Sequence, residues 1–167
     1  MNQNLAAFLA MLSLSEDTTD APDPYRVCFK KIHTILDLNY HPAERRPDGS
    51  VEWGGEQLPD DECIAVGLSP GCVSTAAGKY QIIRPTWIRL KNTLALTDFT
   101  GPSQDDACVQ LLKDCKAFDL VNSGQVALAI NQCRTEWASL PGNAAKQPKR
   151  SLAFLIQAYG DRGGAFA

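Results

Sequence analysis

The sequence has no excess of charge of either sign. Its 167 residues hold 16 Lys+Arg against 19 Asp+Glu, a net charge of -3. A nucleic-acid binder needs a basic face, so that class is set aside. No apolar run is long enough to cross a membrane, since Leu5–Leu14 falls well short of a span, so stable membrane insertion is not expected. The first residues, Met1-Asn2-Gln3-Asn4, lack the positive region of a signal peptide. The expectation is a chain made in the cytoplasm and carried by another machine wherever it works outside. No Cys-x-x-Cys pair occurs, which removes zinc ribbons and thioredoxin-like redox motifs. Only two histidines are present, His33 and His41, and neither has a common zinc-ligand spacing to the cysteines. No metal or cofactor is expected.

What is present is ordinary globular composition, 44% hydrophobic and 21% charged. The length suits one domain spanning 1–167, with enough chain to bury a core unaided. Against that background the six cysteines stand out: Cys28, Cys63, Cys72, Cys108, Cys115 and Cys133. An even set points weakly to an oxidising compartment. Six cysteines allow 15 pairings, and sequence alone does not choose among them. Cys63 and Cys72 are close enough to close a small loop. Cys108 and Cys115 lie two turns apart on one helix, too far to bridge. Buried free thiols account equally well for several of the six.

Leu5, Phe8, Leu9 and Leu12 form one apolar stripe at helical spacing, predicting a helix that ends near Ser15-Glu16-Asp17. Alternation of Tyr25, Val27 and Phe29 predicts strand character from Tyr25 to Leu38. Residues 39–72 are rich in turn residues and predict a small irregular sheet with loops. From Ser74 the chain reads as helical. Gly78–Gln81 enters a short helix and Pro85 starts another through Trp87 and Leu90. Pro102-Ser103 caps a third, with Asp105 and Asp106 in its first turn. Val126, Ala129, Ile130, Cys133 and Trp137 form a further stripe that ends at Pro141-Gly142. The last helix runs through Leu152, Leu155, Ile156 and Tyr159 to a stop at Gly160. Without repeats or a linker, the fold class is α+β in a single domain.

Three short elements carry candidate chemistry. Glu16 sits where the first helix ends, among Asp17 and Asp20. The helix terminus and the like charges favour its protonated form, which is what a proton donor to a glycosidic oxygen requires. A helix-end Glu is more commonly a solvated surface group. Ser74-Thr75-Ala76-Ala77-Gly78-Lys79-Tyr80-Gln81 combines small residues with groups that stack on and hydrogen-bond sugars, although a capped helix start explains it too. Cys133-Arg134-Thr135-Glu136-Trp137-Ala138-Ser139-Leu140-Pro141-Gly142 reads as a core Trp followed by a helix stop. Asp60-Asp61-Glu62 has no calcium-loop spacing and reads as a solvated loop. Lys146–Arg150 is a short basic cluster suited to an anionic wall or to plain solvation.

The order Ser15-Glu16-x-Thr18, His41-Pro42, Ser74 to Gln81, Ser103-Gln104-Asp105 and Trp137-Ala-Ser-Leu-Pro-Gly142 resembles the lambda-phage endolysin family over residues 4 to 160. A looser likeness extends to bacterial lytic transglycosylases, through Glu16, Gly78…Gln81 and Pro85-x-Trp. The resemblance implies a lysozyme-like α+β fold, a mostly helical lobe and a small irregular β-sheet lobe with a cleft between them. It implies cleavage of the β-1,4 bond between N-acetylmuramic acid and N-acetylglucosamine in peptidoglycan, with glycan strands as the partner. By that likeness Glu16 is the catalytic acid, Tyr80 and Gln81 line the cleft, Ser74 and Thr75 lie nearby, and Gln147 is a retained contact.

Hydrolysing phage lysozymes place an Asp nine residues after the Glu and a Thr soon after it. Here that position is Tyr25, and Arg26–Ile32 holds no Thr. The expectation is therefore a lytic transglycosylase, in which one Glu serves as acid and then base. Asp37 is the residue that would restore hydrolysis as a second carboxylate. The family pattern is departed from twice: Asp17 replaces a Gly, and Ala145-Lys146 replace Tyr-Gly. These changes leave open a weakly active or non-catalytic peptidoglycan-binding module. The site of action is the periplasmic wall, reached through a holin or a secretion system. If the domain is an interbacterial effector, an immunity protein or inhibitor is the further partner.

Overall fold

A computed structural model describes residues 2–146 and 148–167. The helices are α1 (Gln3–Ser15), α2 (Asp60–Ala65), α3 (Arg84–Leu94), α4 (Gly101–Asp114), α5 (Phe118–Asn122), α6 (Val126–Cys133) and α7 (Leu152–Asp161). The strands β1 (Glu56–Gln57) and β2 (Val73–Ser74) pair antiparallel, Glu56 opposite Ser74 and Gln57 opposite Val73. The class is α+β, mostly helical with one small sheet. None of the described helices is long and apolar enough to cross a membrane.

Packing divides the chain into two compact units. The first joins both ends of the sequence, Met1–Thr19 with Cys108–Ala167. There α1 packs on α5 and α7, and α6 packs on the same two helices. The apolar stripe of α1 supplies Phe8, Met11 and Leu12 to a core shared with Leu111, Leu112, Ile130, Leu155 and Tyr159. Each such side chain contributes about 1.5–3 kcal/mol through burial. The α6 stripe forms as its spacing predicts, with Val126, Ala129, Ile130 and Cys133 all buried. Trp137 lies beyond the end of that helix, in the following turn. Gly160 does not stop α7, which continues to Asp161. The left-handed residue there is Gly163.

The second unit is Asp20–Ala107. Its core gathers Ile35, His41, Tyr80, Trp87, Leu90 and Phe99. The Phe99 ring meets Trp87 and His41 edge-on, with centroids 4.7 and 4.9 Å apart. Glu44 braces α3 from outside, accepting from Trp87 Nε1 at 3.3 Å and Lys91 Nζ at 2.6 Å.

Three sequence expectations fail in this unit. Residues 25–38 form two 3-10 turns, Pro24–Arg26 and Phe29–Lys31, with isolated bridges but no strand, because Lys30 and Lys31 take left-handed φ of 53° and 59°. Gly78–Gln81 is a hairpin turn, not a helix entry. Ala77 and Ile82 exchange backbone hydrogen bonds at 3.1 and 2.9 Å across it. Asp60-Asp61-Glu62 is the first turn of α2, where acidic side chains suit the positive end of the helix dipole.

Cys63 and Cys72 are joined in a disulfide, while Cys28, Cys108 and Cys133 are buried thiols outside any disulfide and Cys115 is a partly exposed one.

Candidate active site

Glu16 is placed by the way α1 ends. The helix starts at Asn2, whose side chain accepts from Leu5 N at 2.7 Å, and it terminates in a Schellman motif. Thr18 N donates to Ser13 O at 3.0 Å and Asp17 N to Leu14 O at 3.2 Å. Asp17 adopts φ 57°, the left-handed conformation that the replaced Gly would take freely. Thr18 is fully buried, and its hydroxyl bonds the Ser13 hydroxyl at 2.8 Å. The turn is thereby tied at two points, and Glu16 stands at the C-cap with φ -81° and ψ 5°.

A second segment of the same unit meets it. After α6, the turn 137–142 is pinned by buried Trp137 and Leu140, with Leu140 N donating to Trp137 O at 3.1 Å. Between the two anchors, Ser139 Oγ donates to Glu16 Oε1 at 2.5 Å. Ser15 Oγ lies 2.8 Å from the same Ser139 oxygen.

Glu16 is half-buried as a residue, yet its carboxyl is enclosed by protein. Burial pushes the carboxyl up from 4.5 to about 7, and the Ser139 hydrogen bond pulls it back only in part. The direction expected from sequence is thus found. Its cause is desolvation rather than the helix terminus or the acidic neighbours.

The second unit holds the residues of the Ser74–Gln81 run. Ser74 ends β2 and is half-buried, its Oγ accepting weakly from Ala76 N at 3.4 Å. Thr75, also half-buried, accepts from Arg84 N at 3.0 Å, next to the start of α3. Tyr80 is 0% exposed, with its hydroxyl donating to Asp105 Oδ1 at 2.5 Å. With no accessible surface, Tyr80 stands in this structure as a buried support, and the cleft-lining role expected for it is not seen. Gln81 takes φ 50°, and its side-chain amide donates to Gly78 O and Val27 O at 2.9 and 3.1 Å. It closes the 77–82 turn on the Val27 backbone. Gln147 lies outside the described residues.

Around Asp105 the sequence left a cluster unread. Tyr25 Oη donates to both Asp105 oxygens at 3.1 Å and accepts from Lys79 Nζ at 3.0 Å. The ammonium also sits 4.7 Å from the Tyr25 ring centroid and 5.1 Å from that of Tyr80. Tyr25 thus stands at the position of the missing Asp as a hydrogen-bonded anchor.

Asp37 is half-buried and already engaged. Its Oδ1 accepts from Asn39 N at 2.9 Å and Nδ2 at 2.8 Å, and Arg46 lies 3.6 Å from Oδ2. A second acid, Glu52, was not visible in the sequence, where a lone Glu in a glycine-rich loop carries no motif. Burial alone would raise its carboxyl. Donors from Leu36 N at 2.7 Å, His33 Nε2 at 3.0 Å and Asp37 N at 3.3 Å hold it below the usual range instead. Arg46 adds a 2.8 Å ion pair.

Both ring nitrogens of buried His41 are used. Nε2 donates to Ile82 O at 2.9 Å and Nδ1 accepts from Ala43 N at 3.2 Å, which leaves nothing for a metal. Among the described residues, no three His, Cys, Asp or Glu side chains stand together in a way that would hold a metal ion.

Comparison with known proteins finds relatives over nearly the whole chain. The endolysin of Escherichia phage P2 is 34% identical over 163 residues, covering 98% of this chain and 94% of that one. The endolysin of Escherichia phage lambda is 30% identical over 167 residues, with the same coverage. The structure of bacteriophage lambda lysozyme complexed with a chitohexasaccharide superposes with a TM-score of 0.79 at 28% identity, over 100% of this chain and 98% of that one. A second structure of lysozyme from bacteriophage lambda gives 0.75 at 27%, with the same coverage. The Endolysin family model matches residues 6–166, and the chain belongs to the endolysin family.

Proposed function

We propose that Glu16 is the acid and base of a lytic transglycosylase acting on peptidoglycan glycan strands, with residues 1–167 forming the catalytic domain. That the protein is a peptidoglycan glycosidase working on the cell wall follows from its family. The observation that carries the residue assignment is a carboxyl enclosed by protein on a half-buried residue, raised to about 7 and held by a neutral hydroxyl. Such a group keeps a substantial protonated fraction near neutral pH and ionises readily in the step that follows.

In the first step Glu16 gives its proton to the glycosidic oxygen, and the bond from that oxygen to C1 of N-acetylmuramic acid breaks. The 6-hydroxyl of the same sugar then attacks C1. Its proton passes to the Glu16 carboxylate, leaving a 1,6-anhydro end and a restored acid. No second carboxylate is needed. The commitment of Asp37 to Asn39 and Arg46 supports this over hydrolysis. Ser74 and Thr75 keep accessible surface and remain the proposed substrate contacts of the second unit. The chitohexasaccharide in the lambda lysozyme complex supports a glycan ligand for this chain too. Passage to the wall through a holin or a secretion system completes the reading.

The test is digestion of purified cell wall by wild type and Glu16→Gln, followed by mass spectrometry of the products. Loss of lysis in the variant, with anhydro ends from wild type, is the expected result. Equal lysis by both removes Glu16 from the mechanism. Reducing ends assign a hydrolytic muramidase, with Asp37 as the next residue to change. Binding by both without lysis identifies a non-catalytic module.

A further inference from the structure

We propose that Ser139 is the positioning residue of the acid: its hydroxyl, aligned by Ser15, donates to Oε1 of Glu16 and keeps the transferable proton on Oε2. This rests on the assignment of Glu16 as the acid.

The direction of the chain follows from counting protons. An ionised carboxylate only accepts, and a serine hydroxyl has one proton to give. Ser139 spends its proton on Glu16 Oε1 at 2.5 Å. Its own oxygen therefore accepts at the 2.8 Å contact, and Ser15 is the donor. Ser15 and Ser139 are both buried, so bulk water does not compete for these bonds. With Glu16 protonated and Ser139 keeping its donation to Oε1, the acid proton resides on Oε2. The same bond strengthens as the carboxyl ionises, because a charged acceptor binds the hydroxyl more tightly than a neutral one.

The residue type matters. A lysine or arginine at 139 would hold Glu16 ionised and abolish its role as donor. An alanine would leave the buried carboxyl reluctant to give its proton up. A neutral hydroxyl that accepts from one neighbour and donates to the other lies between these limits. Its placement is also fixed, since buried Trp137 and Leu140 hold the turn on either side.

The experiment measures kcat/KM against pH on soluble glycan oligomers for wild type, Ser139→Ala, Ser139→Thr and Ser15→Ala. Alongside it, Glu16 is titrated directly by carbon-13 carboxyl NMR. Ser139→Ala is expected to move the alkaline limb, and the Glu16 titration with it, upward by about one pH unit. The rate at the optimum is expected to fall about tenfold with KM unchanged. Ser139→Thr restores the limb, and Ser15→Ala shifts it in the same direction by less. Should Ser139→Ala fail to fold, the Ser15→Ala titration carries the test alone. An unmoved limb and titration in these variants overturn the proposal, as does equal loss in the Ala and Thr variants at an unchanged limb. Glu16→Gln separates the two readings. If it retains activity the acid assignment fails, and if it is inactive while Ser139→Ala titrates like wild type only the Ser139 role fails.

Discussion

The backbone N–H of Lys79 donates to the side-chain Oε1 of Gln104 at 2.9 Å, and Gly78 is what lets that side chain approach. A Cβ on residue 78 would overlap Gln104 Oε1 and lie 2.7 Å from Cδ, at a backbone φ of +77°. Buried Gln104 has no room to retreat, since its amide also donates to Tyr25 O at 2.9 Å and Phe99 O at 2.7 Å. Gly78→Ala is expected to destabilise the protein by roughly 2–4 kcal/mol, combining backbone strain with lost buried hydrogen bonds. Urea unfolding of the variant against wild type measures it.

Two buried titrating groups act on stability with opposite sign. Glu16 is raised to about 7 in the folded state, so the native protein binds more protons than the unfolded chain between about 4.5 and 7. Its contribution therefore worsens as pH rises through that window, by up to about 3 kcal/mol. His41 is lowered to about 4 by burial, which the Ile82 carbonyl only partly offsets. Its contribution is complete above about 6.5 and is lost as pH falls toward 4, by a similar amount. Wild type should show a nearly flat Tm between pH 4.5 and 6.5. Glu16→Gln should show a Tm rising with pH across that range, and at pH 8 a Tm above wild type by several degrees. Calorimetry over this range checks both, and a parallel wild-type profile in the variant refutes the assignment.

With Glu16 as the proposed proton donor, activity should decline as pH rises through about 7, because its protonated form is lost there. The reading is kcat/KM on soluble glycan oligomers, where wall swelling does not enter.

Asp17 occupies a backbone position at φ 57° that suits glycine. Its ion pair with Arg150 is 4.0 Å long between exposed side chains and contributes little. Asp17→Gly is expected to raise stability by about 1 kcal/mol, relieving the left-handed strain and removing a negative charge from a helix C-terminus. Thermal unfolding gives the sign.

What the sequence made legible was whatever rests on local spacing. The α1 and α6 stripes, the Pro85 start of α3 and the end of α1 at Glu16 all follow from neighbours within one or two turns. The misread segments depend on distant partners. The 78–81 turn is closed by Val27 and Gln104, so its helical look misleads. Tyr25, Val27 and Phe29 alternate as a strand would, but left-handed Lys30 and Lys31 end the pairing. At six residues, α2 is too short for periodicity to show. Among the candidate residues, Glu16 was legible through family motifs, Ser139 lay unremarked inside one of them, and Glu52 of the second unit had no motif at all.

The Cys63–Cys72 bridge closes a loop with a sequence separation of 9, tying α2 to the residue before β2. Loop-closure entropy assigns it about 3 kcal/mol. A Cys63→Ala/Cys72→Ala variant is expected to unfold at lower urea by that amount, and to exchange amide hydrogens faster around residues 58–74. Unchanged stability would show that the bridge constrains nothing in the unfolded chain.

The joining of both ends of the sequence in one unit has a consequence for synthesis. Helix α1 leaves the ribosome ahead of the rest of its unit, and Ser139 follows Glu16 by 123 residues. At roughly 5–20 residues per second that is a wait on the order of ten seconds. A thirteen-residue helix alone is barely stable in water. The nascent chain thus carries Glu16 before it can hold that carboxyl in place. The hydroxyl that bonds the carboxyl arrives only after the whole second unit has been made, so the surroundings of Glu16 are completed late in the folding of this domain.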